Sequence, residues 1–134
     1  MIIGLDVDGV VVDTVTPFLE QGEDLEYWKN STLYDNLKPH DEIYLVLDIL
    51  ENYGEVIFLT SSHCEHLFSK KKFLNYYFEG VDVVNIKKKE FFPVDILIDD
   101  RDIVLEKFKE KNPDSKVIKA TYGNVLEAIK KAGF

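Results

Sequence analysis

The stretch Ile2-Ile3-Gly4-Leu5-Asp6-Val7-Asp8-Gly9-Val10 opens the chain, and its reading decides the fold. A short apolar run that ends abruptly in Asp6 suits a strand buried on both faces rather than one with a solvated side. The same shape recurs four times. Val56 to Leu59 ends in Thr60, Ser61 and Ser62, and Val81 to Ile86 is broken by Asp82 and Asn85. Val94 to Ile98 carries Asp95 and ends in Asp99 and Asp100, while the short run Val117 and Ile118 ends near Thr121.

Between these runs the period becomes helical. Ile43, Val46, Leu47 and Leu50 fall at i, i+3, i+4 and i+7, with Asp41 as N-cap and Gly54 as stop. Cys64, Leu67, Phe68, Leu74 and Phe78 trace a second stripe, opened by Ser61 or Ser62 and closed at Gly80. Val104, Leu105 and Phe108 mark a third helix halted at Asn112-Pro113, and Val125, Leu126 and Ile129 a last one ending at Gly133. Strands alternating with helices predict an α/β fold: a mainly parallel five-stranded sheet between helical layers, with all strand C-terminal ends on one edge.

The 134 residues suffice for one domain spanning 1–134. A hydrophobic fraction of 46% beside 31% charged residues excludes disordered and membrane classes. Sixteen Lys and Arg against twenty-five Asp and Glu give a net charge of −9, so no strong nucleic-acid binding is expected. No apolar run has the length of a membrane span, and the lone Cys64 forms no internal disulfide, so the expected compartment is reducing, the cytoplasm.

The strand ends collect Asp6, Asp8, Thr60, Ser61, Asp99 and Asp100 on the edge where sites in such sheets lie. Converging carboxylates repel one another unless a cation neutralises them, and all-oxygen ligands with open positions suit Mg²⁺. A carboxylate beside such an ion can attack phosphorus, with its neighbour two positions on as acid and base. Taken singly, each piece has a plainer explanation: a polar turn for Asp6 to Gly9, and helix caps for Thr60-Ser61 and Asp99-Asp100. A calcium loop counted from Asp6 fails, because Val10, Val11 and Pro17 stand where acidic or amide residues, glycine and glutamate are needed.

Asp6-Val7-Asp8-Gly9-Val10 resembles the first motif of the haloacid dehalogenase-like (HAD) phosphatases, Val56 to Thr60 their second, and Ile96 to Asp100 their fourth. The third motif of that family is a lone lysine, for which Lys89 fits best, with Lys88 and Lys87 as fallbacks. Thr60-Ser61, Asp99-Asp100-Arg101 and the series Lys70, Phe73, Tyr77-Phe78 are similar to the 5'(3')-deoxyribonucleotidase branch. The resemblance implies a Rossmann-like three-layer α/β/α sandwich with a small cap insert after the first strand, about 14–40. It implies that Asp6 is the nucleophile and Asp8 the acid and base. Mg²⁺ would be held by Asp6, Asp100 and the Asp8 backbone carbonyl, with Asp99 beside it. Thr60 and Lys89 would stabilise the phosphoryl group, and Ser61 and Lys70 would lie close to substrate.

The cap segment is short, about 28 residues from Asp13 to His40, and its aromatics Phe18, Tyr27, Trp28 and Tyr34 either form a reduced cap or seal that end of the core. The expected partner is a small phosphorylated substrate, a nucleotide first. An open site also admits a larger substrate, or a second subunit covering it in a homo-oligomer. The alternatives are a phosphatase for nucleic-acid ends or another phosphorylated metabolite, a phospho-accepting receiver domain, and a silent relative. The receiver order of acidic pair, acceptor and lysine is not met, and the intact Asp6, Asp8, Thr60 and Asp100 give no reason to prefer the last. His63 and His66, with Cys64 between them, lack further ligands for a transition-metal site and read as exposed or capping histidines, and His40 as a surface residue.

Overall fold

The structure is a computed structural model that describes all 134 residues. Five strands form one sheet: β1 (Ile2–Leu5), β2 (Glu55–Thr60), β3 (Val83–Asn85), β4 (Ile96–Asp99) and β5 (Lys116–Lys119). Their order is β3-β2-β1-β4-β5, and every pairing is parallel. The main helices are α1 (Val15–Glu20), α2 (Glu42–Glu51), α3 (Cys64–Tyr77), α4 (Asp102–Lys111) and α5 (Val125–Lys131). No helix is long and apolar enough to cross a membrane.

Alternation along the strands divides the core between the two sheet faces. Ile3, Leu5, Val56, Phe58, Ile96, Ile98 and Ile118 pack with the apolar faces of α2, α3 and α5. Ile57, Leu59 and Leu97 point the other way and meet Val94 with Leu105 and Phe108 of α4. Helices therefore cover both faces, the three-layer α/β/α sandwich expected from continuous apolar strands.

Strand register brings the acidic residues together. Leu5 lies opposite Phe58 on one side and Ile98 on the other, so the next residue along, Asp6, stands beside Asp99. The Asp6 N–H donates to the Ile98 carbonyl (2.9 Å), carrying the pairing one step beyond the strand. Past Asp6 the chain curls, and the Val7 carbonyl accepts from the N–H groups of Val10, Val11 and Val12. Gly9 sits in this curl at φ +76, where a Cβ would overlap the Asp100 carboxylate. The glycine is thus required twice, by a left-handed backbone and by the close approach of a charged group.

Several local expectations change. The third run forms a strand only at Val83–Asn85. Asp41 makes no side-chain cap; the Glu42 N–H donates to Nδ1 of the half-buried His40 (3.1 Å). Gly54 lies beyond the helix end rather than capping it, and a Cβ there would run into the Met1 carbonyl, so a close backbone approach explains it. On α3 the buried residues are His66, Ser69, Lys70, Phe73 and Leu74, whereas Cys64 and Phe68 are exposed. The expected stripe holds at Leu74 and Phe78, which are buried, and fails at Cys64 and Phe68 because the first turns of α3 face a partly polar side inward, towards the strand ends. Segment 14–40 holds α1 and a 3-10 turn, Leu25–Lys29.

The second core is small enough for one side chain to matter. Phe108→Ala is expected to lower stability by about 3–5 kcal/mol, measured by urea unfolding, because the ring is fully buried between α4 and the sheet.

Candidate active site

The C-terminal ends of β1, β2 and β4 open into a cleft of about 500 Å³, with Asp6, Asp8, Thr60, Lys89, Asp99 and Asp100 among its lining. Segment 14–40 supplies an apolar side to it, through Val15, Phe18, Leu19, Leu25 and Trp28. Phe18 and Trp28 pack at 5.2 Å between ring centroids.

Two buried ion-pair groups form the floor. In the first, the Lys89 ammonium lies 2.7 Å from Asp6 Oδ1 and 2.7 Å from Asp99 Oδ2. Lys89 stands on a 3-10 turn, Lys89–Phe91, and is buried, while Lys87 and Lys88 are exposed. Of the three neighbouring lysines it alone reaches the strand ends. Oxygens of Asp6, Asp99 and Asp100 all lie within 4.8 Å of one another, and Asp100 Oδ1 is buried with no hydrogen-bond partner.

Three carboxylates share this floor with one ammonium, which pairs with only two of them. Burial pushes the Asp6 carboxyl well above its usual range; Lys89 pulls it back, and Asp99 and Asp100 push it further up. Burial, with Asp99 adding to it, raises Asp100 to about 6. Burial acts to lower Lys89, but Asp6 and Asp99 outweigh it and hold the ammonium charged. An unpartnered buried carboxylate oxygen within an all-oxygen cluster of excess negative charge fits a hard divalent cation.

The second group surrounds Asp8. Lys70 donates to Asp8 Oδ2 (2.6 Å), to Thr60 Oγ1 (2.8 Å) and to Ser62 Oγ, which uses all three of its N–H donors. Asp8 Oδ1 accepts from Thr14 Oγ1 (2.6 Å) and from the Tyr34 hydroxyl. Burial acts to raise Asp8, but the Lys70 charge and these hydrogen bonds hold it below the usual carboxylate range. The Tyr34 phenol is pushed far above its ordinary value by burial and by the Asp8 charge.

The cleft thus gathers Asp6, Asp8, Thr60, Ser61, Lys89, Asp99 and Asp100. Lys70 is fully buried, and its ammonium holds Asp8 and Thr60 from within. Ser61 is exposed, and its hydroxyl donates to the Ile86 carbonyl (2.6 Å). Ser62, Thr14, Tyr34 and His66 join the site in roles that no motif of the sequence marks. His66 is buried rather than exposed, with Nδ1 on the Trp28 carbonyl, and burial lowers its pKa. A carbonyl only accepts, so Nδ1 carries the proton of the neutral ring. The one available sequence signal is spacing, since His66, Ser69, Lys70 and Phe73 fall at i, i+3, i+4 and i+7 on α3.

No protein-family model matches the sequence, and no curated protein does. Solved structures do share the fold. A chain of the Pnkp1/Rnl/Hen1 complex superposes with a TM-score of 0.63 at 22% identity, over 90% of this chain and 46% of that one. A chain of the Pnkp1/Rnl/Hen1 RNA repair complex gives 0.63 at 21% identity, over 91% of this chain and 42% of that one. This chain therefore spans less than half the length of either, and the likeness is one of fold.

Lys89→Met is expected to cost about 3–5 kcal/mol near pH 7.5, because it leaves buried carboxylates unpaired. Lys89 pulls the Asp6 carboxyl down against burial and like charge, so without it that carboxyl rises further and takes up its proton at a higher pH in the variant. A raised carboxyl contributes stability that is fully present below the unfolded value and is lost as pH rises through the folded one. The variant's deficit, read from denaturant midpoints, should therefore shrink on going from about pH 7.5 to about pH 5.

Proposed function

We propose that this chain is a Mg²⁺-dependent phosphomonoesterase of the haloacid dehalogenase-like kind, acting through an aspartyl-phosphate on Asp6, with nucleoside monophosphates as its substrates. The observation that supports this most is the cluster of buried Asp6 and Asp99, both paired with Lys89, and half-buried Asp100, which keeps an orphaned carboxylate oxygen at the cleft. Asp8, Thr60 and Lys70 stand beside it as a second linked set.

In this reading an Asp6 oxygen forms a bond to phosphorus as the ester P–O bond breaks, and Asp8 passes a proton to the departing oxygen. Water then attacks the same phosphorus and yields a proton to Asp8. Asp6 is freed, and the products are alcohol and inorganic phosphate. Lys89 and Thr60 direct donors towards the phosphoryl oxygens, and Lys70 holds Thr60 and Asp8 in place. Asp6, Asp100 and the Asp8 backbone carbonyl would hold Mg²⁺, whose charge offsets the repulsion between these carboxylates and an incoming phosphate.

A second reading keeps the chemistry and takes the end of a nucleic-acid strand as substrate. It is favoured by two fold neighbours that are parts of a Pnkp1/Rnl/Hen1 complex, described for one of them as an RNA repair complex. The net charge of −9 weighs against it. A substrate panel decides: faster release from oligonucleotide ends than from mononucleotides moves the assignment to strand ends.

Release of phosphate from a nucleoside monophosphate is expected to require Mg²⁺ and to stop with EDTA. Asp6→Asn should reduce it by at least about 10³-fold, and an unchanged rate ends the proposal. Mg²⁺ at about 100 times its Kd should stabilise the fold by about 2.7 kcal/mol. That gain should fade as pH falls below about 6, where Asp100 takes up its proton, and thermal shift reads both effects.

A further inference from the structure

Tyr34 belongs to the segment between β1 and α2, yet only 1% of it is exposed and its hydroxyl donates to Asp8 Oδ1. It is held from both ends. Its backbone N–H donates to Ser69 Oγ on α3 (3.0 Å), and that hydroxyl donates in turn to Asp35 Oδ1 (2.9 Å). Its ring packs beside His66 and Phe73, with centroids at 5.6 and 6.0 Å, and the Lys70 ammonium lies 5.3 Å from its centre. A phenol used only to fill space would need no partner so specific as a carboxylate of the cleft.

Each carboxylate oxygen offers two lone pairs. Those of Asp8 Oδ1 are taken by Thr14 and Tyr34, whereas Oδ2 accepts only from Lys70 and keeps one free. We propose that Tyr34, with Thr14, is a positioning residue for Asp8: it reserves Oδ2 as the oxygen that carries the proton and delivers it to the leaving group. This rests on the phosphomonoesterase reading. In the first half-reaction the Asp6–phosphorus bond forms, the ester P–O bond breaks, and the proton moves from Asp8 Oδ2 to the departing oxygen. Asp8 is left as a carboxylate, and charge gathers on a group whose Oδ1 already accepts two hydrogen bonds. Tyr34 and Thr14 therefore strengthen their hold during the step rather than before it.

The test compares two esters through kcat/KM, which reports events up to loss of the leaving group. A nucleoside monophosphate expels an alkoxide that needs a proton, whereas p-nitrophenyl phosphate expels an anion that leaves unaided. Tyr34→Phe removes the hydroxyl and keeps the ring. It should lower kcat/KM for the nucleotide by about 10–100-fold and for p-nitrophenyl phosphate by less than about threefold. Thr14→Val should show the same split, and it carries the test if the tyrosine variant fails to fold. Equal losses on the two esters, or no loss on the nucleotide, overturn the role of Tyr34 and leave the phosphomonoesterase reading standing. Turnover of neither ester by the wild-type protein ends that reading, and the role of Tyr34 with it.

Discussion

The Lys89 ammonium, 2.7 Å from an oxygen of Asp6 and 2.7 Å from one of Asp99, is the contact on which the floor of the cleft depends. Parallel register sets Asp6 and Asp99 side by side at the ends of two hydrogen-bonded strands, where ionised carboxylates repel at short range. A cation between them makes that arrangement tolerable. Lys89 reaches them from a turn outside the sheet, so an ion pair joins an irregular segment to the central strands. Its pairing does not extend to Asp100, which keeps one buried oxygen without a partner.

The backbone around this contact is equally constrained. Gly9 lets the chain curl back immediately after β1 and leaves room for the Asp100 carboxylate. Any side chain at position 9 would force either the curl or the carboxylate to move. Beyond the same curl the Asp8 side chain meets Lys70 of α3. Two aspartates only two positions apart thus enter different electrostatic surroundings.

Much of this was legible because strands buried on both faces must be apolar throughout, so the residue that ends each run stands out. Asp6, Thr60 and Asp99 announce the sheet edge in that way, and the parallel order of runs brings the edge to one side. Lys89 stands ahead of Lys88 and Lys87 in the sequence only by its place before Asp99, since periodicity does not tell which side chain of an irregular turn points inward. The helix α3 misleads for a different reason. Its inward face carries His66, Ser69 and Lys70 before Leu74, so an apolar stripe finds Leu74 and Phe78 but draws in the exposed Cys64 and Phe68. The aromatic residues of segment 14–40 could not be divided by composition. Tyr34 enters the core and bonds Asp8, while Phe18 and Trp28 line the cleft.

The contrast between Asp6 and Asp8 comes from the groups each is allowed to face. Asp6 shares its one ammonium with Asp99 and also lies near Asp100, so burial and like charge outweigh the pairing and its carboxyl is raised. Asp8 faces Lys70 and two hydroxyl donors with no second carboxylate among its hydrogen-bond partners, so the same burial is overcome and its carboxyl is lowered. A negatively charged group entering the cleft acts on both in one direction, favouring protonation, whereas a cation at the cluster acts most on Asp6 and Asp100. On the phosphomonoesterase reading both changes are required: Asp8 takes up a proton for the leaving group, and Asp6 stays ionised for attack, which a cation held by Asp6 and Asp100 would favour. Separate partners for the two aspartates would let one bound complex shift them in opposite directions.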